Sequence, residues 1–416
     1  MKKVIFTIVA KNYLGLAKVL ADSVRAHNEK VAFYAFVVDG IGNINEDELS
    51  FPIIQVKGNL IKEESSFLEM AFKYNVTEFC TSVKSFAFTY LFESGFTHAI
   101  YFDPDVLVTH SLDTVWDRLE SEFIVLTPHV CTIQENFTGI IPDTAFLNFG
   151  VYNLGFIALK KTSESITFLA WWGTRLKTYA FNQTAAGLFT DQIWLNFIHC
   201  FFKEGIGVSH DLGLNLGPWN LHERKVVFRD SKFFVNNRIT DGDEYPLVFT
   251  HFSGFDYLNL GLAKNSFKGI EIDGYPDIEP LVNLYAERLQ ANHFSDFFKL
   301  GYQYSCFDNG IPINALYRRL YKEALATPHL TLHESPFACG KRSFYALLCK
   351  SGLIVRNRAL DAINRGNEKR IGSKIVLIEK VLVVLKALLG AQRFILLFRY
   401  LVNNLKYETL IFMLKK

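Results

Sequence analysis

No C-x-x-C pair occurs among the six cysteines, which are scattered at Cys80, Cys131, Cys200, Cys306, Cys339 and Cys349. That argues against the usual zinc and dithiol redox motifs and suits reduced, buried thiols in a cytosolic protein. No G-x-G-x-x-G follows the first strand-like segment, so the usual dinucleotide fingerprint is missing. No run of eighteen uncharged apolar residues occurs, and no transmembrane helix is expected. The start, "MKKVIFTIVAKNY", imitates a signal peptide, but its apolar run covers only Val4 to Ala10 and ends without a cleavage-like site. It reads as a buried first strand. The sequons at Asn75, Asn136 and Asn182 mean little without a secretory signal. Excess charge is also lacking: net +2 over 416 residues points to no particular partner, nucleic acid included. Internal repeats and low-complexity linkers are not evident.

What is present is apolar and aromatic. Half of the residues are hydrophobic and 39 are Phe, ample for a large core, and the length suits two or three domains. "VIFTIVA" and "VAFYAFVVD" read as strands. "LGLAKVLADSVRAHN" between them reads as a helix with Leu16, Val19, Leu20 and Val24 on one face. "CTSVKSFAFTYLFESG" reads as a helix closed by Gly95, and "HAIYF" as the next strand. This alternation implies a parallel sheet covered by helices, in which ligands bind at the carboxyl ends of strands. Later, "FLNFGVYNLGFIALK" reads as strand-like segments, and "FTDQIWLNFIHCFF" as a helix with Thr190 as its N-cap. Beyond about 280 the pattern is mainly helical, with two helices in 373–406 split by Gly390. The expected division is 1–280 and 281–416.

The stretch "HAIYFDPDVLV" sets Asp103 and Asp105 between two apolar runs. Pro104 biases Asp103 to an extended conformation, which presents both carboxylates at a strand end. Like charges so close repel unless solvent or a cation separates them, and a hard divalent cation is held by one or two carboxylates plus substrate phosphates. A solvated turn is the plainer reading of an isolated D-x-D.

The pair does not stand alone. "YFDPDVLV", "FLNFGVYNLGF", "FTDQIWLNFI", "LNLGPWNLHER" and "FTHFSGFD" follow in order within residues 101–256. Together they resemble a bacterial glycosyltransferase of the retaining glycosyltransferase family 8. The resemblance covers about residues 1–270. It implies an α/β, Rossmann-like GT-A fold with a mainly helical C-terminal extension. It further implies a nucleotide-diphosphate sugar donor, usually UDP-linked, and Mn²⁺ or Mg²⁺. On this resemblance Asp103, Asp105 and His251 hold the metal, and a neutral imidazole among the ligands favours Mn²⁺. Ala10, Asn12 and Tyr13 match the loop that holds the nucleoside, with Tyr13 stacking on the base. Lys84 matches a basic residue that reaches the donor's phosphates or sugar, against a solvated helix lysine as the plainer reading. Asn153, a donor-site candidate, is an amide amid apolar neighbours that needs a hydrogen bond, from a sugar hydroxyl or from backbone. Asp191 binds sugar hydroxyls and Gln192 sits under the anomeric carbon, while "PWNLHER" closes one wall with Trp219 as a stacking face for a sugar and Asn220 as a polar contact. Gly254 lets backbone approach a phosphate. The family's H-x-x-G-x-x-K-P-W is not intact here, since "FDYLN" follows Gly254; Lys264 is the nearest later lysine to serve the leaving diphosphate.

Two rivals share these residues. A haloacid-dehalogenase-type phosphatase also carries an aspartate pair after a strand, with a residue such as Val106 next, but its pair follows the first core strand. A non-catalytic sugar-nucleotide-binding protein is the other. The tail adds a separate signal. Residues 369–416 carry ten basic and two acidic residues, +8, leaving −6 for the rest. In 391–406, Gln392, Arg399, Asn403 and Lys406 recur at helical spacing opposite Phe394, Phe398, Leu401 and Leu405. Docking on the core competes with an interfacial helix on an anionic membrane through 371–416. The expected acceptor is a glycan or lipid-linked molecule in surface polysaccharide synthesis. The expected location is cytoplasmic, peripheral on the inner face of the cell membrane.

Overall fold

The apolar run near the amino terminus is strand β1 (Lys3–Val9), buried from Val4 onward. The computed structural model describes residues 1–257, 274–327, 330, 332, 334–355, 368–404 and 407–414. Around β1 a mixed sheet assembles from β2 (Ala32–Val37), β3 (Ile53–Gln55), β4 (His98–Phe102), β6 (Ile124–Leu126), β7 (Phe156–Lys160) and β10 (Ile206–Val208), in the order β10-β6-β7-β4-β1-β2-β3. Strands β1, β2, β3 and β4 run parallel, and β7 runs antiparallel between β4 and β6. The buried runs HAIYF and IVL need apolar cover on both faces, as parallel-rich sheets do. The helix Leu14–His27 supplies part of it with Leu14, Ala17, Leu20 and Val24. This is the α/β architecture expected from the alternating pattern.

The chain passes from β1 to β2 on one side and returns to β4 on the other. The carboxyl ends of β1 and β4 therefore flank a crevice of the kind in which α/β sheets bind ligands. Strand β5 (Val106–Val108) follows β4 directly in the chain and pairs with the distant β14 (Phe249–His251). The remaining strands are the hairpin β8 (Asn182–Gln183) with β9 (Leu188–Phe189), and the antiparallel set β11 (Arg224–Arg229), β12 (Lys232–Asn237) and β13 (Tyr245–Pro246).

Three local expectations change. "FLNF" is not a strand: Asp143–Phe149 is helical, closed by Gly150 at φ 101°. The strand of that stretch begins only at Phe156. Thr190 is not a helix N-cap but has φ 45°, left-handed and strained for a β-branched side chain; the segment Gln192–Phe197 after it is 3₁₀. The helix expected before β4 breaks at Val83 into Val76–Ser82 and Lys84–Glu93.

Two units divide the chain: Met1–Glu64 with Val76–Tyr302, and Ser65–Asn75 with Gln303–Lys416. The first thus runs past the expected boundary at 280. In the second, Arg318 donates to the carbonyls of Ala71, Phe72 and Tyr74 at 3.2, 2.6 and 2.7 Å, capping the end of the helix that finishes at Lys73. Phe72 packs there against Tyr321 and Phe337. The second unit ends in the helical span Glu368–Asn404, broken at Gly390 as the sequence pattern predicted. One expectation must be corrected: Leu377–Leu401 is long and apolar enough to cross a membrane by length and composition, although Lys380, Lys386, Arg393 and Arg399 interrupt any uncharged run. Leu405 and Lys406, counted in the tail pattern, lie outside the described residues.

Candidate functional site

The D-P-D turn is pinned on both sides by main chain. The Asp103 N–H donates to the Gly155 carbonyl just before β7 (2.8 Å), and the Val106 N–H donates back to the Asp103 carbonyl (3.2 Å). Register then brings in a distant residue. In the β5–β14 pair Val106 faces His251, so the residue after Asp105 fixes where the imidazole lies. The Phe252 N–H closes the arrangement on the Asp105 carbonyl at 2.8 Å.

His251 Nε2 lies 3.1 Å from Asp105 Oδ1 and 3.7 Å from Asp103 Oδ2. One ligand atom from each of the three residues falls within 4.8 Å of the others. The other ring nitrogen, Nδ1, lies 3.2 Å from Asn153 Oδ1, which also accepts from Gly155 N–H and Asn215 Nδ2. An amide oxygen can only accept, so Nδ1 carries a proton and Nε2 faces the carboxylates. Asn153 is thus an orienting residue behind the histidine, with its oxygen already occupied. Gly155 is needed for the same ring, because a Cβ there would clash with its Cε1 and Nδ1. Burial works against a charged His251, yet Asp105 and Asp103 outweigh it and raise the pKa. Burial likewise opposes a charged Asp103, but Lys84 and His251 hold its pKa below the usual value. Two carboxylates and one imidazole nitrogen, all turned to one point, fit Mn²⁺ or Mg²⁺, and the nitrogen suits Mn²⁺ better.

Lys84 is not a solvated helix lysine. Its side chain is 1% exposed, and Nζ lies 2.7 Å from Asp191 Oδ2 and 3.5 Å from Asp103 Oδ1. Nζ also donates to the Leu154 carbonyl at 2.8 Å and lies 4.1 Å from the centre of the Tyr101 ring. One buried cation therefore ties the D-P-D to the D-Q. Burial disfavours its charge, but Asp103 and Asp191 raise its pKa, so it stays an ammonium. Asp191 is buried too, and desolvation raises its pKa against Lys84's pull. The strained Thr190 donates its hydroxyl to Asp191 Oδ1 at 3.0 Å. Gln192 Nε2 donates to the Phe149 carbonyl at 2.8 Å, locking its amide across the base of the cavity. Trp219 packs edge-on to His251 at 5.2 Å. Asn220 is fully buried, accepting from Gly217 N–H and donating to the carbonyls of His129 and Asn215. These bonds tie together the loops that carry His129, Asn215 and Gly217.

Two cavities meet at Asp103 and Asp105 and share Thr77 and Thr81. One, of about 330 Å³, is lined by Ala10, Tyr13, Tyr101, Phe255, Tyr257 and Gly254 among others. Gly254 has φ 77°, a left-handed conformation that favours glycine. The other, of about 380 Å³, is lined by Lys84, Asp191, Gln192, Asn153, His251 and Trp219 among others. The loop after β1 is held by Lys11 N–H donating to Asp39 Oδ1 at 2.8 Å. Asn12 is half-buried, with Oδ1 lacking a partner among the described residues. Lys264 lies outside the described residues.

Sequence reasoning missed Tyr101, whose hydroxyl donates to Asp103 Oδ1 at 2.5 Å. The period of two along β4 was the available signal, since Tyr101 and Asp103 share a side of the strand. It also missed Asn215 and His129 behind Asn153, and nothing local in their sequence marks them.

No family model matches the chain. It is similar to the uncharacterized protein YfnF of Bacillus subtilis (strain 168), 29% identical over 140 residues, 34% of this chain and 43% of that protein. The chain thus aligns with less than half of that relative's length. It is also similar to the uncharacterized protein YfnD of the same organism, 23% identical over 261 residues, 60% and 76% of the two chains. Among solved structures it is similar to the galactosyltransferase LgtC in complex with donor and acceptor sugar analogs, at 15% identity and TM-score 0.43, over 69% of this chain and 95% of that one. Mouse xyloside xylosyltransferase 1 is similar at 12% identity and TM-score 0.36, over 52% and 88%.

Proposed function

We propose that this protein is a metal-dependent glycosyltransferase that moves a sugar from a nucleotide-diphosphate sugar, UDP-linked, to a glycan or lipid-linked acceptor in surface polysaccharide synthesis. One observation carries the proposal: two differently lined cavities join at the Asp103–Asp105–His251 cluster. The ring-lined cavity suits a nucleoside, the charged one suits a sugar, and the cluster between them falls where a diphosphate would cross. A bound Mn²⁺ would neutralise the diphosphate and stabilise it as it leaves.

The chain's own residues supply the rest. Asp103 and Asp105 offer oxygens and His251 offers Nε2, held in that tautomer by Asn153. Lys84 places a fixed positive charge beside Asp103, where negative charge grows on the leaving group. Asp191, paired with Lys84, accepts from donor-sugar hydroxyls, and Gln192 forms the floor under the anomeric carbon. Burial of these groups excludes water that would otherwise hydrolyse the donor. Retention of configuration belongs to the proposal, as do the nucleoside role of Ala10, Asn12 and Tyr13 and the leaving-group role of Lys264. So does a cytoplasmic location, which the unpaired cysteines suit.

The test is a thermal-shift panel of nucleotide sugars with and without Mn²⁺, followed by donor hydrolysis. UDP with Mn²⁺ should raise the melting temperature more than either alone, by mass action on the native state. Stabilisation by NAD(P) or by phosphate monoesters, with none by any nucleoside diphosphate, would overturn the proposal. Tight UDP binding without any donor turnover would mark a binding protein instead.

A further inference from the structure

The geometry points to a second functional surface, independent of the catalytic proposal: Leu377–Leu401 seats in one leaflet of an anionic lipid bilayer as two short helices, without crossing it. The first observation is exposure. None of this segment is buried, and Leu377, Val383 and Leu388 are 63%, 64% and 78% exposed. A helix this apolar needs cover from a protein core or a membrane.

The second observation is a tandem pattern. "EKVLVVLK" (379–386) and "QRFILLFR" (392–399) share one design: two polar residues, five apolar ones, then a basic one. Gln392, Arg393 and Arg399 repeat the places of Glu379, Lys380 and Lys386 thirteen residues on. At about 100° per residue each set occupies an arc of about 120°, interrupted by Val383 and Ala387 in one half and by Leu396 and Tyr400 in the other. Gly390 separates the halves at φ 73°, ψ 157°, a conformation essentially confined to glycine. Each half can therefore turn its own polar arc to water and sink the rest.

The third observation excludes a single crossing. Tyr317, on the helix Ala315–Leu325, accepts from Val355 N–H and donates to the Leu353 carbonyl. The segment Tyr407–Leu414 packs against that same helix, and Leu414 is buried. The chain leaves one helix and returns to it. A single transmembrane pass would put those two attachments on opposite faces of the bilayer. Nor does either half reach across: Leu377–Leu389 is about 20 Å long, against about 30 Å of hydrocarbon. Lys380, Lys386, Arg393 and Arg399 select anionic headgroups as the lipid partner.

The test uses the full chain with sealed vesicles of phosphatidylcholine, alone or with about one third phosphatidylglycerol. The protein should sediment with the anionic vesicles and release at high salt. A carboxyl-terminal tag on vesicle-bound protein should stay fully open to protease added outside. Replacing the four basic residues together (K380Q, K386Q, R393Q and R399Q) should weaken anionic binding by roughly 10²-fold or more. Leu388→Lys with Phe398→Lys, both exposed and opposite the polar arcs, should abolish it. An unchanged melting temperature of the ligand-free protein certifies that each variant is folded. A protected tag shows a crossing and overturns the inference. So does the absence of anionic-vesicle binding, including the case in which the apolar helices instead bury in a concentration-dependent dimer.

Discussion

The two cavities that share Asp103 and Asp105 are built by opposite means. The cavity beside Tyr13 is shaped by rings and main chain: Tyr13 meets Tyr257 edge-on at 6.4 Å, and Tyr257 packs on Phe255 at 5.4 Å. The cavity beside Lys84 is shaped by buried ions, an ammonium held between two carboxylates. Removing a ring from the first shrinks a contact surface. Removing an ion from the second strands its partners in a low-dielectric interior. The first can adapt to its ligand at modest cost, whereas the second is preorganised and intolerant of change.

The strongest test of that contrast is Lys84→Met. It leaves Asp191 buried without its cation, and losing one member of a buried pair typically costs about 3–5 kcal/mol. Urea unfolding of the metal-free protein should show this loss, and Asp191→Asn in the same chain should recover part of it. Normal stability in Lys84→Met would mean that the ion pair does not organise the cavity.

Next in size are Asp105→Asn and His251→Ala. Each should reduce metal-dependent donor turnover by roughly 10²-fold or more, the scale of losing a main electrostatic stabiliser. Metal-free melting should change little, and should rise in Asp105→Asn if carboxylate repulsion is relieved. Variants that turn over donor normally but unfold early would make the D-P-D a structural turn. Because Asp105 and Asp103 raise the pKa of His251, Mn²⁺ must displace a proton to bind there. Mn²⁺ affinity should therefore climb with pH through the neutral range.

His129 gives a smaller effect on the same side. It is buried behind Asn153, stacked on Phe146 at 5.0 Å, and burial lowers its pKa to about 4. Its unfolded value is about 6.5, so below that the unfolded chain binds a proton that the native state refuses. The stability due to neutral His129 is intact above about pH 6.5 and is lost as pH falls toward 4. At pH 5 the loss should be about 2 kcal/mol at 1.36 per unit. His251, with its raised pKa, acts with the opposite sign, contributing stability at low pH that fades as pH rises. Comparing wild type with His129→Gln by urea unfolding at pH 7 and pH 5 isolates the first effect; identical pH profiles would refute it.

Much of the sheet was legible because it is buried on both faces: an unbroken run such as "VIFTIV" or "HAIYF" has few places to go but a covered strand. The D-P-D was legible because proline and paired charges are local signals. Lys84 came into view only through the resemblance, because a lysine amid "KSFAFTYLFE" looks the same whether its ammonium meets water or two carboxylates more than fifteen residues away. His251 came into view through the ordered motifs, but its approach to Asp105 depends on strand register, which spacing along the chain does not encode. The misjudged "FLNF" has Phe146 and Phe149 three apart, a helical interval that short aromatic segments leave ambiguous.

The smallest expected effect belongs to the ring-lined cavity. Tyr13 is half-buried at the carboxyl end of β1, and its ring meets Tyr257, Phe294 and Phe298 edge-on at 6.4, 6.5 and 6.1 Å. Tyr13→Ala keeps the Asp103–Asp105–His251 cluster intact and removes one face from the nucleoside side. If a base stacks there, the loss should be about 1–2 kcal/mol, or roughly tenfold in UDP affinity, the scale of single base–aromatic contacts. Turnover at saturating donor should stay near the wild-type rate, because Lys84, Asp191 and the metal ligands are untouched. Tyr13→Phe should restore affinity, since stacking needs the ring and not the hydroxyl. Isothermal titration with UDP and Mn²⁺, alongside saturating-donor turnover, separates the two cavities. A Tyr13→Ala chain that binds UDP normally but turns over slowly would invert the comparison and place the sugar, not the base, beside Tyr13.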